Sequence, residues 1–74
     1  MRQLEMYVIY RNPRDYPGKF VCRKWLLTDG KPVPMAQPTS VSNSLEEVRA
    51  KVPKGLFRMA RGPLDDVAVW EVWL

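Results

Sequence analysis

The chain has one cysteine, Cys22, and no histidine among its 74 residues. It therefore cannot form an internal disulfide, and the common zinc sites need several cysteines or histidines. A chain this short buries only about 60% of its unfolded surface, so small domains often depend on a disulfide, a metal or a partner chain. Either a well-packed aromatic core or a partner chain would then have to stabilise the fold. We expect one soluble domain over residues 1–74, without cofactor or metal, and we favour a homodimer.

The start of the chain and its hydropathy bear on location. Residues 1–6 lack the apolar stretch of a signal peptide, and no apolar run approaches the roughly 20 residues of a membrane helix. A single cysteine is typical of proteins from a reducing compartment. We expect a cytoplasmic protein that does not contact membranes.

The net charge of +4 is unevenly distributed. Residues 11–31 carry six basic and two acidic side chains, and residues 46–61 carry five basic and two acidic ones. Residues 62–74 carry three acidic side chains and no basic one. This pattern suits an anionic partner or head-to-tail contact between copies, and it is equally compatible with a solvated surface that keeps the protein soluble.

The first half of the chain has the pattern of a β-hairpin. Residues 4–10 and 19–27 are rich in aromatic and β-branched residues, which favour strands. The first strand is apolar on both faces and is therefore expected at the centre of a sheet. Two prolines and a glycine between the strands indicate a loop, and residues 28–31 form a turn signal. Residues 32–41 contain three prolines and are expected to form an extended edge or a loop.

A helix signal follows at Ser44, where Ser44 and Glu47 have the spacing of a capping box. Leu45, Val48 and Val52 form one apolar stripe, and Pro53 should end the helix after about two turns.

Two more strands are expected after the helix. Residues 56–61 fit either a strand or a short helix, and we favour a strand because residues 62–66 form a turn into residues 67–74. In a regular final strand, Val67, Val69, Glu71 and Trp73 would share one face. The predicted fold is α+β, a small antiparallel sheet in the order β-β-α-β-β with one short helix packed on a face.

Catalysis is not expected from these residue types. General acid–base chemistry at neutral pH most often uses histidine, which is absent. The pair Glu46–Glu47 is explained by the helix start and the pair Asp65–Asp66 by a turn. Cys22 has no histidine partner and lies in a strand, so a buried structural thiol is expected. The four glycines all lie in turns and form no phosphate-binding loop.

Binding is therefore the predicted activity. Arginines can grip a phosphate or carboxylate, while aromatic rings stack or seal a site. A single helix covers only one face of the sheet, so residues 32–41 or a second chain should cover the other, and tryptophan is frequent at such interfaces. The candidate interface residues are Val67, Val69 and Trp73. The candidate ligand-binding residues are Arg11, Arg14, Tyr16, Arg23 and Trp25, with Arg58 and Arg61 as a second set.

The segments YVIYRNPRDYPGKFVCRKW, SLEEVRAKVPKGLFRMAR and VWEVWL resemble short uncharacterised bacterial and phage-type proteins of the same layout. The resemblance implies no catalytic residues. It implies a mobile-element accessory protein that stoichiometrically binds a host protein or an anionic ligand such as a nucleotide. The alternative function is binding of single-stranded nucleic acid, for which the interleaved basic and aromatic residues of 11–25 are suited.

Overall fold

The computed structural model describes residues 4–59 and 68–74, which form six strands and one short helix. All strands pair antiparallel in one sheet, with the order β3-β2-β1-β6-β5 and with β4 paired to β2 beside β3. The elements are β1 (Leu4–Arg11), β2 (Phe20–Thr28), β3 (Lys31–Pro34), β4 (Ser40–Ser42), α1 (Leu45–Ala50), β5 (Arg58–Met59) and β6 (Val69–Trp73).

This architecture confirms a small antiparallel α+β sheet but corrects the predicted order β-β-α-β-β. Two additional strands, β3 and β4, precede the helix. They occupy the proline-rich segment, where an edge position tolerates the missing N–H groups of Pro32 and Pro34. Between them the backbone N–H groups of Met35 and Thr39 donate to the carbonyls of Lys24 and Cys22, at 2.9 and 2.7 Å. The segment therefore follows β2 along its whole length.

The hairpin of β1 and β2 forms as predicted, with continuous pairing from Leu4–Leu27 to Arg11–Phe20. Asn12 closes its loop in the left-handed region, at a φ of 54°, where asparagine is tolerated better than most residues. Its side-chain oxygen accepts from the N–H of Gly18 at 2.7 Å. β1 lies between β2 and β6, which confirms its predicted central position.

The predicted turn at residues 28–31 joins β2 to β3 as a two-residue hairpin. Asp29 and Gly30 both have positive φ, 51° and 77°. This is the conformation of the tight turn that matches the twist of the flanking strands, and Asp-Gly is one of its preferred sequences. The turn places β3 beside the second half of β2.

The helix begins as the capping residues predict, with one change of partner. The hydroxyl of Ser44 accepts from the N–H of Glu47 at 3.4 Å. The Glu47 carboxylate does not return to the N–H of Ser44; it accepts from the hydroxyl of Ser42, and that hydroxyl oxygen accepts from the Ser44 N–H at 3.0 Å. Ser42 thus links the end of β4 to the start of α1, which ends at Ala50, before Pro53.

We call the side of the sheet that α1 covers the helix-side face. Val48 of the helix packs there against Tyr7, Ile9 and Cys22 of the two central strands, and all four are buried. The predicted apolar stripe of the helix is confirmed, because Leu45 and Val52 also contact this cluster. The remaining partly buried members of the cluster are Phe20, Leu56 and Trp73.

A β-bulge in β6 corrects the predicted face assignment of the last strand. Ile9 pairs with Glu71 but its neighbour Tyr10 pairs with Val69, so Trp70 is an extra residue. An extra residue reverses the in–out alternation on one side of the bulge. Val69 consequently lies opposite to Trp73 rather than beside it, and Trp73 joins the helix-side cluster.

The strand assignment of residues 56–61 is confirmed for Arg58–Met59, which form β5 and pair with Trp73 and Val72. The N–H groups of Phe57 and Leu74 extend the ladder by donating to each other's carbonyls at 2.9 and 3.0 Å. The candidate residues Arg61 and Val67, and the predicted turn at 62–66, lie outside the described residues.

Candidate functional site: an apolar open sheet face

The side of the sheet opposite the helix, which we call the open face, is almost entirely apolar in the described part of the chain. Its members follow from the alternation of the paired strands and from the grooves that they line. Three of these residues carry polar side-chain groups, namely Tyr10, Arg23 and Trp25. The open face comprises Leu4, Met6, Val8, Tyr10, Val21, Arg23, Trp25, Leu27, Pro32, Pro34, Val41, Met59, Val69, Val72 and Leu74.

Two neighbouring grooves lie on this face and share Tyr10 and Trp25. The first has a volume of about 380 Å³ and lies between the 12–18 loop and the segment after β3. Val21 and Arg23 of β2 also line it, as do Pro13, Asp15, Pro34, Met35 and Ala36. The second has a volume of about 330 Å³ and is lined by side chains from β1, β2, β3, β5 and β6. Both volumes fall within the range of small ligand pockets.

Arg23 is held by its own chain. One terminal nitrogen of its guanidinium donates to the carbonyls of Met35 and Ala36, at 2.7 and 3.0 Å. The other donates to the carboxylate of Asp15 at 3.3 Å. Its charge is therefore matched within the molecule, and the side chain fastens the 35–36 segment and the first loop to the open face.

Trp25 lines both grooves, and its indole N–H donates to the hydroxyl of Tyr10 at 3.1 Å. Buried indole and phenol groups usually need such a partner. The two rings bridge β1 and β2 from the open side. Of the predicted ligand-binding residues that the structure describes, Arg23 and Trp25 are thus the two that lie in one groove.

The end of the open face nearest the 28–31 turn carries large apolar side chains that project into solvent. Leu4 is 62% exposed, its strand partner Leu27 is 39% exposed, and Leu74 is 49% exposed. Met59, also 49% exposed, lies on β5 at the level of Val72 and Val8, in the middle of the face. Leu4, Leu27 and Leu74 line a further small cleft together with Met6 and Trp25. Exposed apolar side chains are common when scattered, but contiguous ones mark interaction surfaces.

The helix-side face instead carries a buried ionic group centred on Glu71, which is 5% exposed. Arg49 of the helix donates to both carboxylate oxygens, one of the two bonds measuring 3.0 Å. The indole N–H of Trp73 donates at 3.2 Å, and the Arg58 guanidinium lies at 3.6 Å. The hydrogen bond from Arg49 lowers the pKa of Glu71, and the same bond raises the pKa of Arg49.

Sequence reasoning missed this group. It treated Glu71 as a neighbour of an interface and Arg58 as a ligand-binding residue, and it gave Arg49 no role. A signal was present, since a glutamate between two tryptophans in an apolar strand needs a cationic partner if it is buried.

The other predicted ligand-binding residues do not converge. The guanidinium of Arg11 stacks 5.1 Å from the ring centre of Trp70, a cation–π contact. Arg14 is exposed in the first loop, and Tyr16 is half-buried there. Arg58 lies at the far side of the sheet beside Glu71. These arginines therefore do not form one anion-binding cluster.

Cys22 is fully buried in the helix-side cluster, and burial raises its pKa to about 11. Its thiol therefore stays protonated at neutral pH, which agrees with the predicted structural role.

No family model, curated protein or solved structure matches this chain. In the described residues, the helix is neither long nor apolar enough to cross a membrane. The same residues contain no cluster of three or more cysteine, aspartate or glutamate side chains arranged to hold a metal ion.

Proposed function

We propose that this chain is a small non-catalytic binding protein that recognises an apolar protein surface with its open face. The observation that carries the proposal is that the open face is apolar in composition but is not covered by the helix. The open face is apolar along four neighbouring strands, yet the helix packs on the opposite side. Val8, Val21 and Val69 in the middle of this face are buried within the chain, but Leu4, Leu27 and Leu74 at its rim remain exposed. Contiguous exposed apolar side chains mark interaction surfaces, so a partner protein would cover this rim.

The ionisable groups support a role without catalysis. Cys22 is buried and protonated at neutral pH, and Glu71 is engaged by Arg49 and Trp73. A general base or nucleophile must be able to reach its substrate in the correct protonation state. Neither group meets this requirement.

The choice between a protein and an anionic ligand depends on where the arginines lie. Arg23 is the one arginine among the described residues that line the 380 Å³ groove, and it already binds Asp15 and two carbonyls. A phosphate entering this groove would have to displace these contacts. A protein surface needs only apolar complementarity, so the geometry favours it over a nucleotide. In line with the resemblance to phage-type proteins, the partner protein would be bound stoichiometrically.

The test uses a fluorescent apolar probe, anilinonaphthalene sulfonate, at a low protein concentration. Leu27→Glu places a charge on the open face, while Val33→Glu places one on the helix-side face of the same hairpin at a similarly exposed position, 39% against 44%. We expect probe fluorescence with the native chain and with Val33→Glu, and a loss of most of it with Leu27→Glu. Equal fluorescence in all three would refute the proposal.

Binding of single-stranded nucleic acid is the alternative, and it makes a different prediction. Its affinity would fall steeply with added salt and would be indifferent to base sequence. Fluorescence anisotropy with a labelled single-stranded oligonucleotide measures both properties. Tight, salt-sensitive binding that is abolished by Arg14→Ala and unaffected by Leu27→Glu would favour this alternative.

A further inference from the structure

The open face has the properties of a surface that pairs with itself. We propose that it packs against the same face of a second copy of this chain, forming a two-fold symmetric dimer of stacked sheets. This inference rests on the proposed function, because it names the protein surface that the open face recognises. Three features of the described residues favour a second copy, namely charge, shape and the form of the sheet edges.

The charge on the open face allows identical faces to meet. Among the described residues of the open face, Arg23 is the one whose side chain is charged at neutral pH. Asp15 and two backbone carbonyls of the same chain compensate that charge. The other paired charges, Lys24–Glu5 and Arg49–Glu71, lie on the helix-side face. Two copies can therefore approach without burying an unmatched charge, which would be costly. An acidic partner would find no uncompensated cation among the described residues of this face.

The shape of the open face differs between its two ends. Leu4 and Leu27 pair at the end next to the 28–31 turn, where their side chains project. Tyr10 and Val21 pair at the opposite end, where the 380 Å³ groove lies. A two-fold axis that lies midway between the two stacked sheets, parallel to them and perpendicular to β1, passes over Val8 and exchanges these ends. It brings the projecting leucines of one copy over the groove of the other, and the reverse contact follows by symmetry.

The sheet edges favour stacking of faces over joining of edges. β3 forms one edge and contains Pro32 and Pro34, which cannot donate backbone hydrogen bonds to another strand. β5 forms the other edge and spans two residues. In the part of the chain that the structure describes, neither edge offers the long row of unpaired groups that an added strand needs, whereas the open face is wide. Stacked sheets pack about 10 Å apart with their side chains interleaved.

The amount of apolar surface suits a dimer of moderate affinity. The exposed parts of Leu4, Leu27, Leu74 and Met59 together equal about two whole side chains in each copy. Symmetry doubles this contribution. We therefore expect dissociation in the micromolar range, so that both states can be measured.

The experiment is sedimentation equilibrium from low micromolar to millimolar concentration. It compares the full native chain with Leu27→Glu and with the control variant Val33→Glu. Circular dichroism first verifies that each variant is folded, and Leu4→Glu, at the more exposed member of the pair, replaces Leu27→Glu if the latter unfolds. We expect a monomer–dimer equilibrium for the native chain and for Val33→Glu. The open-face glutamate should weaken association by about a hundredfold, because each dimer must desolvate two carboxylates.

Contacts between an isotope-labelled copy and an unlabelled copy locate the interface by nuclear Overhauser effects. We expect contacts from Leu27 of one copy to Tyr10 or Met35 of the other, which line the groove and are partly exposed. Contacts confined to the helix-side face would overturn the proposal, as would equal weakening by Leu27→Glu and Val33→Glu. A monomer at millimolar concentration would also overturn it. If the chain is monomeric but Leu27→Glu abolishes binding of the fluorescent apolar probe, the proposed function still holds. The open face would then bind a different protein.

Discussion

The two faces of the sheet use apolar and charged residues in different ways. On the helix-side face, a buried cluster around Ile9 and Val48 lies next to a compensated ion pair between Glu71 and Arg49. On the open face the side chains are nearly all apolar, and several at one end remain exposed. The open face differs in its rim, because Val8, Val21 and Val69 at its centre are buried while Leu4 and Leu27 at one end project into solvent. An apolar rim of this kind is the arrangement expected of an interaction surface.

The largest predicted effect is on the free energy of unfolding, and it distinguishes a buried core residue from an exposed residue of the open face. Ile9→Ala should lower the free energy of unfolding by about 3 kcal/mol, because Ile9 is completely buried and its truncation leaves a cavity. Leu4→Ala, on the open face and 62% exposed, should change it by less than about 0.5 kcal/mol. Urea denaturation followed by circular dichroism, at the lowest workable concentration to suppress association, measures both. Comparable losses would mean that Leu4 is part of the monomer's core.

The next effect concerns the ionic group on the helix-side face. Arg49→Ala should lower the free energy of unfolding by about 2 kcal/mol, because it leaves the buried Glu71 carboxylate with weaker partners. The distance of 3.6 Å from Arg58 allows only partial compensation. Arg14→Ala is the control, an exposed arginine of the first loop, and should have almost no effect. Equal stability of both variants would show that Glu71 does not depend on Arg49.

The smallest effect is a dependence on pH. The pKa of Glu71 is lowered from 4.5 chiefly by the hydrogen bond from Arg49, so the folded state favours the ionised carboxylate. Its stabilising contribution is complete above pH 4.5 and is lost as the pH falls through the lowered value. We expect the stability difference between the native chain and Glu71→Gln to shrink below pH 4.5. Glu46→Gln, at an exposed helix position, serves as the control. If the stability difference between the native chain and Glu71→Gln stays constant with pH, the lowered pKa of Glu71 is contradicted.

Local patterns were sufficient to predict most elements. The hairpin, the Asp29–Gly30 turn and the start of the helix at Ser44 depend on backbone preferences and short-range hydrogen bonds, which neighbouring residues determine. The prolines of residues 32–41 were correctly associated with an edge. They did not reveal that this segment forms two strands, because edge pairing depends on β2, which lies elsewhere in the chain.

The candidate site was only partly predictable. Strand alternation placed Arg23, Trp25 and Leu27 on one face, and the presence of one helix implied that another face needed cover. The bulge at Trp70 was not predictable from alternation, because one extra residue reverses every face assignment beyond it. The grouping of Val69 with Trp73 failed for this reason.

Local sequence patterns indicate a small antiparallel α+β fold with one short helix and an apolar central hairpin. These features follow from side-chain periodicity and turn chemistry, which act over a few residues. The tertiary structure alone decided that Arg23 is held by Asp15 and that Arg49 reaches Glu71 from the helix. It also decided which apolar side chains remain uncovered. These outcomes depend on contacts between residues distant in the chain, whose partners are fixed only when the sheet is assembled.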